Sequence, residues 1–356
     1  MKSHNFSAGP AILPAEVLQE AAEGVKDLNG SGLSILEISH RSKAFEAVIH
    51  EAEALLRETY QISDEYAVLF LSGGASTQFF MAPLNLLAPG TKAGYVDTGT
   101  WANKAMHEAK EMGEVVCLAS SQAEHYRHIP KHYTIPDDLS YVHITTNNTI
   151  FGTQMHSWPD CKPLFVADMS SDFVSRPIDL DRYGLIYAGA QKNLGPAGVT
   201  IVILRKDWIH RSGRKLTHML DYKTHQDNHS LYNTPPVYAI YVSMLTLRWI
   251  KKLGGLTAME ERNQIKAAAL YAEIDRNPLF KGTTVREDRS LMNVTFVPLN
   301  DEHTDPFLKL CQQHRIIDLK GHRSVGGFRA SIYNAMPLES VQVLVQVMQE
   351  FEKSHG

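Results

Sequence analysis

Apolar residues recur along this chain with two different spacings. Val17, Leu18, Ala21, Val25 and Leu28 fall at helical intervals between Pro14 and the Asn29-Gly30-Ser31-Gly32 stop, which predicts a first helix opening at Pro14. Phe45, Val48, Ile49, Ala52, Leu55 and Leu56 line one face of a second helix over 43–60. The pattern then changes. Residues 66–71 form a short unbroken apolar run, as expected of a strand buried on both faces. Further runs predict strands over 93–96, 115–118, 141–146, 164–167, 185–188 and 199–204, alternating with helices that include 77–87 and 101–112. Such alternation predicts an α/β fold with a mostly parallel seven-stranded sheet flanked by helices.

Past Val237 the character shifts to two long helical stretches, 237–252 and 258–276. A β/α segment follows, with strands over 292–297 and 328–333 and helices near 306–314 and over 338–353. A boundary near residue 257 therefore divides a large domain, 1–257, from a smaller C-terminal α/β domain, 258–356. The first 15 residues are expected to pack near the active site or on the small domain.

Composition narrows the class. The chain has 356 residues, a net charge of −4 and 44% apolar residues, as a folded globular protein does. A mildly acidic balance gives no reason to expect nucleic acid or an anionic membrane as partner. No apolar run reaches a bilayer's thickness, and Met1 to Pro10 lacks a signal-peptide stretch. Cys117, Cys161 and Cys311 have no metal-ligand spacing and read as reduced core thiols of a cytoplasmic protein. His125, His128 and His132 have helical spacing, but Pro130 interrupts it. The segment reads as a solvated loop with Tyr126 exposed, and no metal is expected. Lys251-Lys252 and 286–289 read as solvent-facing charge.

Three features sit where ligands bind in parallel sheets, beyond the carboxyl ends of strands. Ser72-Gly73-Gly74-Ala75-Ser76-Thr77 joins a strand to a helix, and its small residues and free N–H groups suit a phosphate. Asp168 follows the apolar run 164–167 directly. Lys192 follows the run 185–188 among small residues and is able to form a Schiff base. Singly, each has a plainer reading: a tight turn, a helix cap, a surface lysine. Together they match pyridoxal phosphate, which needs an anion site, an acid for its ring nitrogen and an amine for its aldehyde. Trp101 follows the strand over 93–96 through a short loop and offers an indole to lie over the ring, unless it is a core residue. His40-Arg41, His322-Arg323 and Arg329 supply forked cations for a phosphate and a carboxylate, or else solvated surface charge.

The chain also resembles a known family. Asn5-Phe6-Ser7-Ala8-Gly9-Pro10, Ser39-His40-Arg41, the stretch from Tyr187 to Gly198, Asn233-Thr234-Pro235-Pro236, Lys320-Gly321-His322-Arg323 and the stretch from Gly326 to Ala335 carry the resemblance. They are similar to the phosphoserine branch of the class V pyridoxal-phosphate aminotransferases, of fold type I. The resemblance implies pyridoxal 5'-phosphate as cofactor, with Lys192 its covalent lysine and Asp168 at its pyridine nitrogen. It further implies Trp101 stacked on the ring, Thr149 near the ring hydroxyl, and Ala75, Ser76 and Gln191 at the phosphate. Many members carry Gly-Arg where this chain has Ala75-Ser76, so backbone N–H groups and Ser76 take more of that anion's charge. Asn233 and Thr234 would reach the phosphate from a neighbouring subunit, which implies a homodimer. Arg329 would hold the substrate α-carboxylate, and His40, Arg41, His322 and Arg323 would surround its phosphate. The implied reaction moves an amino group from L-glutamate to 3-phosphohydroxypyruvate in L-serine biosynthesis. A related amination in pyridoxine biosynthesis is also known in the family. Two rivals stand beside it: a class V transaminase for unphosphorylated substrates, and a nucleotide- or sugar-phosphate-binding protein without covalent chemistry.

Overall fold

The computed structural model describes residues 3–356. Its strands in chain order are β1 (His4–Asn5), β2 (Tyr66–Leu71), β3 (Lys92–Asp97), β4 (Glu114–Ser120), β5 (Val142–Thr145), β6 (Asn147–Asn148), β7 (Thr153–Gln154), β8 (Phe165–Asp168), β9 (Tyr183–Gly189), β10 (Thr200–Arg205), β11 (Phe280–Gly282), β12 (Asn293–Pro298), β13 (Ile316–Ile317) and β14 (Phe328–Ser331). The α-helices are α1 (Ala15–Lys26), α2 (Lys43–Tyr60), α3 (Gly74–Leu86), α4 (Thr100–Lys110), α5 (Tyr222–Asp227), α6 (Val237–Lys252), α7 (Gly255–Arg276), α8 (Thr304–Gln313) and α9 (Leu338–His355).

Seven strands form the main sheet in the order β2-β10-β9-β8-β5-β3-β4. Only β10 runs against its neighbours; the β9-β8-β5-β3-β4 pairs are parallel. Every residue of β2, β5, β8 and β9 is buried, because helices cover both faces. One face packs on α1, α2 and α6 through residues such as Phe45, Leu56, Ile144, Ile186 and Leu245. The other packs on α3 and α4 through Phe79, Leu86, Met106 and Tyr187. Edge strand β4 is only half-covered, and its Cys117 is exposed.

A separate three-stranded antiparallel sheet, β11-β12-β14, lies with α8 and α9 around a second cluster. Phe280, Phe296, Phe307, Phe328 and Phe351 meet there at ring-centroid distances of 4.8–6.2 Å. Helix α7 bridges the two clusters: Leu256 and Met259 belong to the first, Ala267, Leu270 and Ile274 to the second. The N-terminal segment joins the smaller body as well. β1 pairs with β13, and Phe6 and Ile12 enter its core.

Four readings of the sequence need correction. Helix α3 begins at Gly74, not near residue 77, because Gly73 takes φ +100° and turns the chain straight from the strand into the helix. Of the three cysteines only Cys311 is a core residue; Cys161 is half-buried, and all three are free. Tyr126 is buried and not exposed, its hydroxyl donating to Asp97 Oδ2 at 3.1 Å, within a segment that is a loop with left-handed residues at His125, Tyr126 and His132. Residues 286–289 are not uniformly solvent-facing. Asp288 is buried and accepts the Ile129 N–H at 2.8 Å, and Arg289 forks onto Asp275 at 2.7 and 2.9 Å. Among the described residues no group of His, Cys, Asp or Glu is placed to hold a metal ion. No helix there is long and apolar enough to cross a membrane.

Candidate active site

The parallel strands all end at one edge of the sheet, and register makes those ends level. Thr145 pairs with Asp168, and Asp168 with Tyr187. Loops leaving these ends enclose a cavity of about 470 Å³, of a size suited to a small molecule. Nine of the residues singled out in the sequence line it: Ala75, Ser76, Trp101, Thr149, Asp168, Gln191, Lys192, His322 and Arg329.

Helix α3 points its first turn into this space. Gly73 makes no side-chain cap, so the leading N–H groups and the positive end of the helix face the cavity. Across the cavity, Asp168 is buried at the end of β8, where Oδ1 accepts the Ser170 N–H at 2.9 Å. Burial pushes its carboxyl up, while the Ser170 hydrogen bonds and the charge of Lys192 pull it down. A buried carboxylate so sparsely paired calls for a cationic or N–H partner in the cavity.

Lys192 sits in the tight turn after β9. Ala11 N–H holds the Gln191 carbonyl at 3.0 Å, and Gly195 N–H closes onto Ala190 at 2.8 Å. The Lys192 amine donates to Thr149 Oγ1 at 2.7 Å. Burial pulls this amine down to about 8, with Arg329 acting in the same direction and Asp168 opposing. It is thus far closer to a neutral nucleophile than an ordinary lysine. Arg329 projects from β14 of the smaller body, and its guanidinium donates to the Thr149 carbonyl at 3.4 Å. Trp101 Nε1 and Thr145 Oγ1 are buried on the wall without a hydrogen-bond partner among the described residues, as polar atoms that face a ligand or water are.

Five residues singled out in the sequence do not line this cavity: His40, Arg41, Asn233, Thr234 and Arg323. Arg323 adjoins His322 but is exposed. Arg41 and Thr234 are exposed, His40 and Asn233 half-buried. Among the described residues their side-chain hydrogen bonds are local, from Arg41 Nε to His40 at 3.4 Å and from Asn233 Nδ2 to the Thr234 carbonyl at 3.1 Å, besides the contact of the Ser39 hydroxyl with the Arg41 backbone.

Conversely, the cavity uses residues that motif reasoning left without a role: Ala8, Gly9, Thr145, Asn147, Ser170 and Ser171. A Cβ on Gly9 would stand 3.4 Å from Lys192 Cγ, so the N-terminal segment crosses directly over the lysine. Asn147 Nδ2 donates to Ser171 Oγ and Asn293 Oδ1, both at 2.8 Å, joining the two bodies beneath the site. The signal for these residues was present, since polar runs follow β5 and β8 where the strand-end rule says to look. Below Asp168 the sheet buries His143, whose Nε2 meets the Tyr187 hydroxyl at 2.8 Å. Burial pulls that imidazole down to about 3, so it is neutral.

The level strand ends, the buried acid opposite a depressed lysine and the open helix terminus form one site on an α/β sheet whose chemistry suits an anionic carbonyl compound. The aminotransferase class V family model matches residues 3–344, and the chain belongs to that family. Within it the relatives are specific. A phosphoserine aminotransferase of Flavobacterium psychrophilum is 57% identical over 353 residues, covering 99% of each chain. The solved phosphoserine aminotransferase of Bacillus circulans subsp. alkalophilus superposes with a TM-score of 0.97 at 47% identity, over 100% of this chain and 99% of its own. The PLP-bound phosphoserine aminotransferase of Trichomonas vaginalis gives 0.92 at 37%, over 98% and 100%. The chain is a member of the phosphoserine aminotransferase branch.

Proposed function

We propose that this chain transfers an amino group reversibly from L-glutamate to 3-phosphohydroxypyruvate, giving O-phospho-L-serine and 2-oxoglutarate, with pyridoxal 5'-phosphate held in the cavity. The observation that carries this reading is the convergence of Lys192, Asp168 and the open first turn of α3 on one space. The residues present fit the cofactor. The uncapped N–H groups with Ala75, Ser76 and Gln191 suit its phosphate, and Asp168 suits its ring nitrogen. Trp101 offers a flat wall and Thr149 a hydroxyl. When bound, the cofactor supplies an aldehyde that carries the amino group and a ring that accepts electrons.

The chain's own residues do the rest. Asp168, ionised, holds a proton on the ring nitrogen. Lys192 Nζ lifts the proton from the substrate α-carbon and returns it as an acid. The Thr149 hydroxyl aims that amine, and Arg329 holds the α-carboxylate. His322 on the wall and Arg323 beside it receive the substrate phosphate.

Phosphate recognition has a direct test. With His322 and Arg323 both changed to Ala, kcat/KM for 3-phosphohydroxypyruvate is expected to fall roughly 100-fold or more, as charge-assisted contacts are lost, while that for unphosphorylated hydroxypyruvate stays within about threefold. Intact activity on both substrates would favour a transaminase without a phosphate pocket, and equal losses would make the pair structural.

A homodimer completes the reading. Asn233 and Thr234, outside this chain's own cavity, then reach the cofactor phosphate of a second copy, and His40 and Arg41 serve the site in the same way. Mixing inactive Lys192→Ala subunits with subunits in which Asn233 and Thr234 are both Ala is expected to restore one intact active site of the two in each hybrid dimer. A monomer in sedimentation, or no recovery on mixing, would remove the second copy from the site. This reading places the protein in the cytoplasm and in L-serine biosynthesis, and the related pyridoxine-pathway amination is tested with the corresponding phosphorylated hydroxythreonine.

A further inference from the structure

Lys266 lies outside the cavity, on α7, and is only 3% exposed. Buried lysines are rare unless a carboxylate pairs with them. Here the amine donates instead to two backbone carbonyls, Ile332 at 2.8 Å and Tyr333 at 2.6 Å. Burial, with Arg262 adding to it, pulls the amine down to about 7. A methionine would fill similar space without that cost.

The carbonyls explain the lysine's presence. They belong to the turn that leaves β14 just after Arg329. Three residues earlier on the same face of α7, Asn263 Nδ2 donates to Asn334 Oδ1 at 2.8 Å, so α7 grips the turn twice. The turn is then tied to the large body. Asn334 N–H donates to Asn193 Oδ1 at 3.0 Å, in the residue after Lys192, and Asn334 Nδ2 donates to the Val174 carbonyl at 2.9 Å. Tyr333, whose hydroxyl donates to the Ala8 carbonyl at 2.7 Å, completes the seam. The 332–334 turn therefore ties the strand that carries Arg329 to the segment that carries Lys192.

We propose that Lys266 is a positioning residue for substrate binding: by clamping the Ile332 and Tyr333 carbonyls it sets where Arg329 presents its guanidinium to the α-carboxylate. This inference rests on the reading of Arg329 given above. It makes Lys266 act on carboxylate recognition through Arg329, not on proton transfer.

The test uses the holoenzyme and four variants: Lys266→Met, Lys266→Arg, Arg329→Lys and the double variant Lys266→Met/Arg329→Lys. Steady-state kinetics with glutamate is read beside equilibrium binding of α-methylglutamate, which lacks the α-proton. Lys266→Met is expected to raise both KM for glutamate and Kd for α-methylglutamate about tenfold, with kcat within about threefold of the parent. In the Arg329→Lys background the same change adds less than about twofold, because the two residues act as one unit. A further full tenfold loss in that background, or a fall in kcat with KM and Kd unmoved, would overturn the proposal. If Lys266→Met does not fold, Lys266→Arg decides: its wider planar fork displaces the carbonyls, so KM and Kd rise in a folded protein, and parental values overturn the inference. Failure of the underlying reading looks different, since Arg329→Lys alone would then leave KM for glutamate unchanged.

Discussion

Lys192→Ala is expected to abolish transamination, lowering turnover by at least about 10⁴-fold, while melting temperature and circular dichroism stay close to those of the parent. The residue is half-open to the cavity, and the turn carrying it is held by backbone and Asn193 hydrogen bonds that do not involve its amine. Removing the side chain therefore deletes the proposed base and covalent anchor without deleting a packing contact of the core. The state of the amine makes a second readout. An ordinary lysine is protonated up to about 10.5. Lys192 is pulled down to about 8, chiefly by burial, so it becomes neutral on crossing that lower pH. Capture of pyridoxal phosphate by cofactor-free protein is expected to rise with pH through a midpoint near 8, and borohydride reduction should leave the pyridoxyl group on the peptide holding Lys192. A labelled peptide elsewhere, or near-parental activity of the Ala variant, would end the assignment.

Asp168→Asn separates function from stability. The substitution keeps shape and removes charge. Turnover is expected to fall roughly 10²- to 10³-fold, the scale of losing one preorganised electrostatic contact in a water-poor site. Stability of the cofactor-free protein moves the other way. Burial pushes the Asp168 carboxyl up, so the native state binds its proton more readily than the unfolded chain does. As pH rises from the ordinary carboxylate range through the raised value, the parent must ionise a buried group and loses stability. The Asn variant escapes that loss and is expected to melt at the same or a higher temperature at neutral pH. An unchanged rate, or a collapse of the fold, would show that Asp168 serves structure and not the ring nitrogen.

Much of this was legible along the chain because its determinants are local. The apolar run 66–71 and the helical face of 43–60 end where the periodicity ends, and α2 and α6 match their expected limits. Lys192, Asp168 and the Gly73-Gly74 turn could be singled out because each directly follows a buried strand, and strand ends on a parallel sheet share an edge. Tyr126 could not be placed in this way. Its burial depends on Asp97, 29 positions away, and no spacing encodes that contact. Cys117 was misread because an apolar strand looks alike at the centre of a sheet and at its edge.

The sequence by itself determined the alternation of elements, the class of chemistry and which residues to seek for it at the strand ends, since periodicity and residue type act over a few positions. Only the tertiary structure decided that nine candidate residues share one cavity and five stand outside it. It alone set Arg329 from the smaller body over Thr149 of the larger one, and buried Lys266 against the turn between them. Those outcomes depend on long-range packing, and burial is also what moves the Lys192 amine and the Asp168 carboxyl away from their ordinary values.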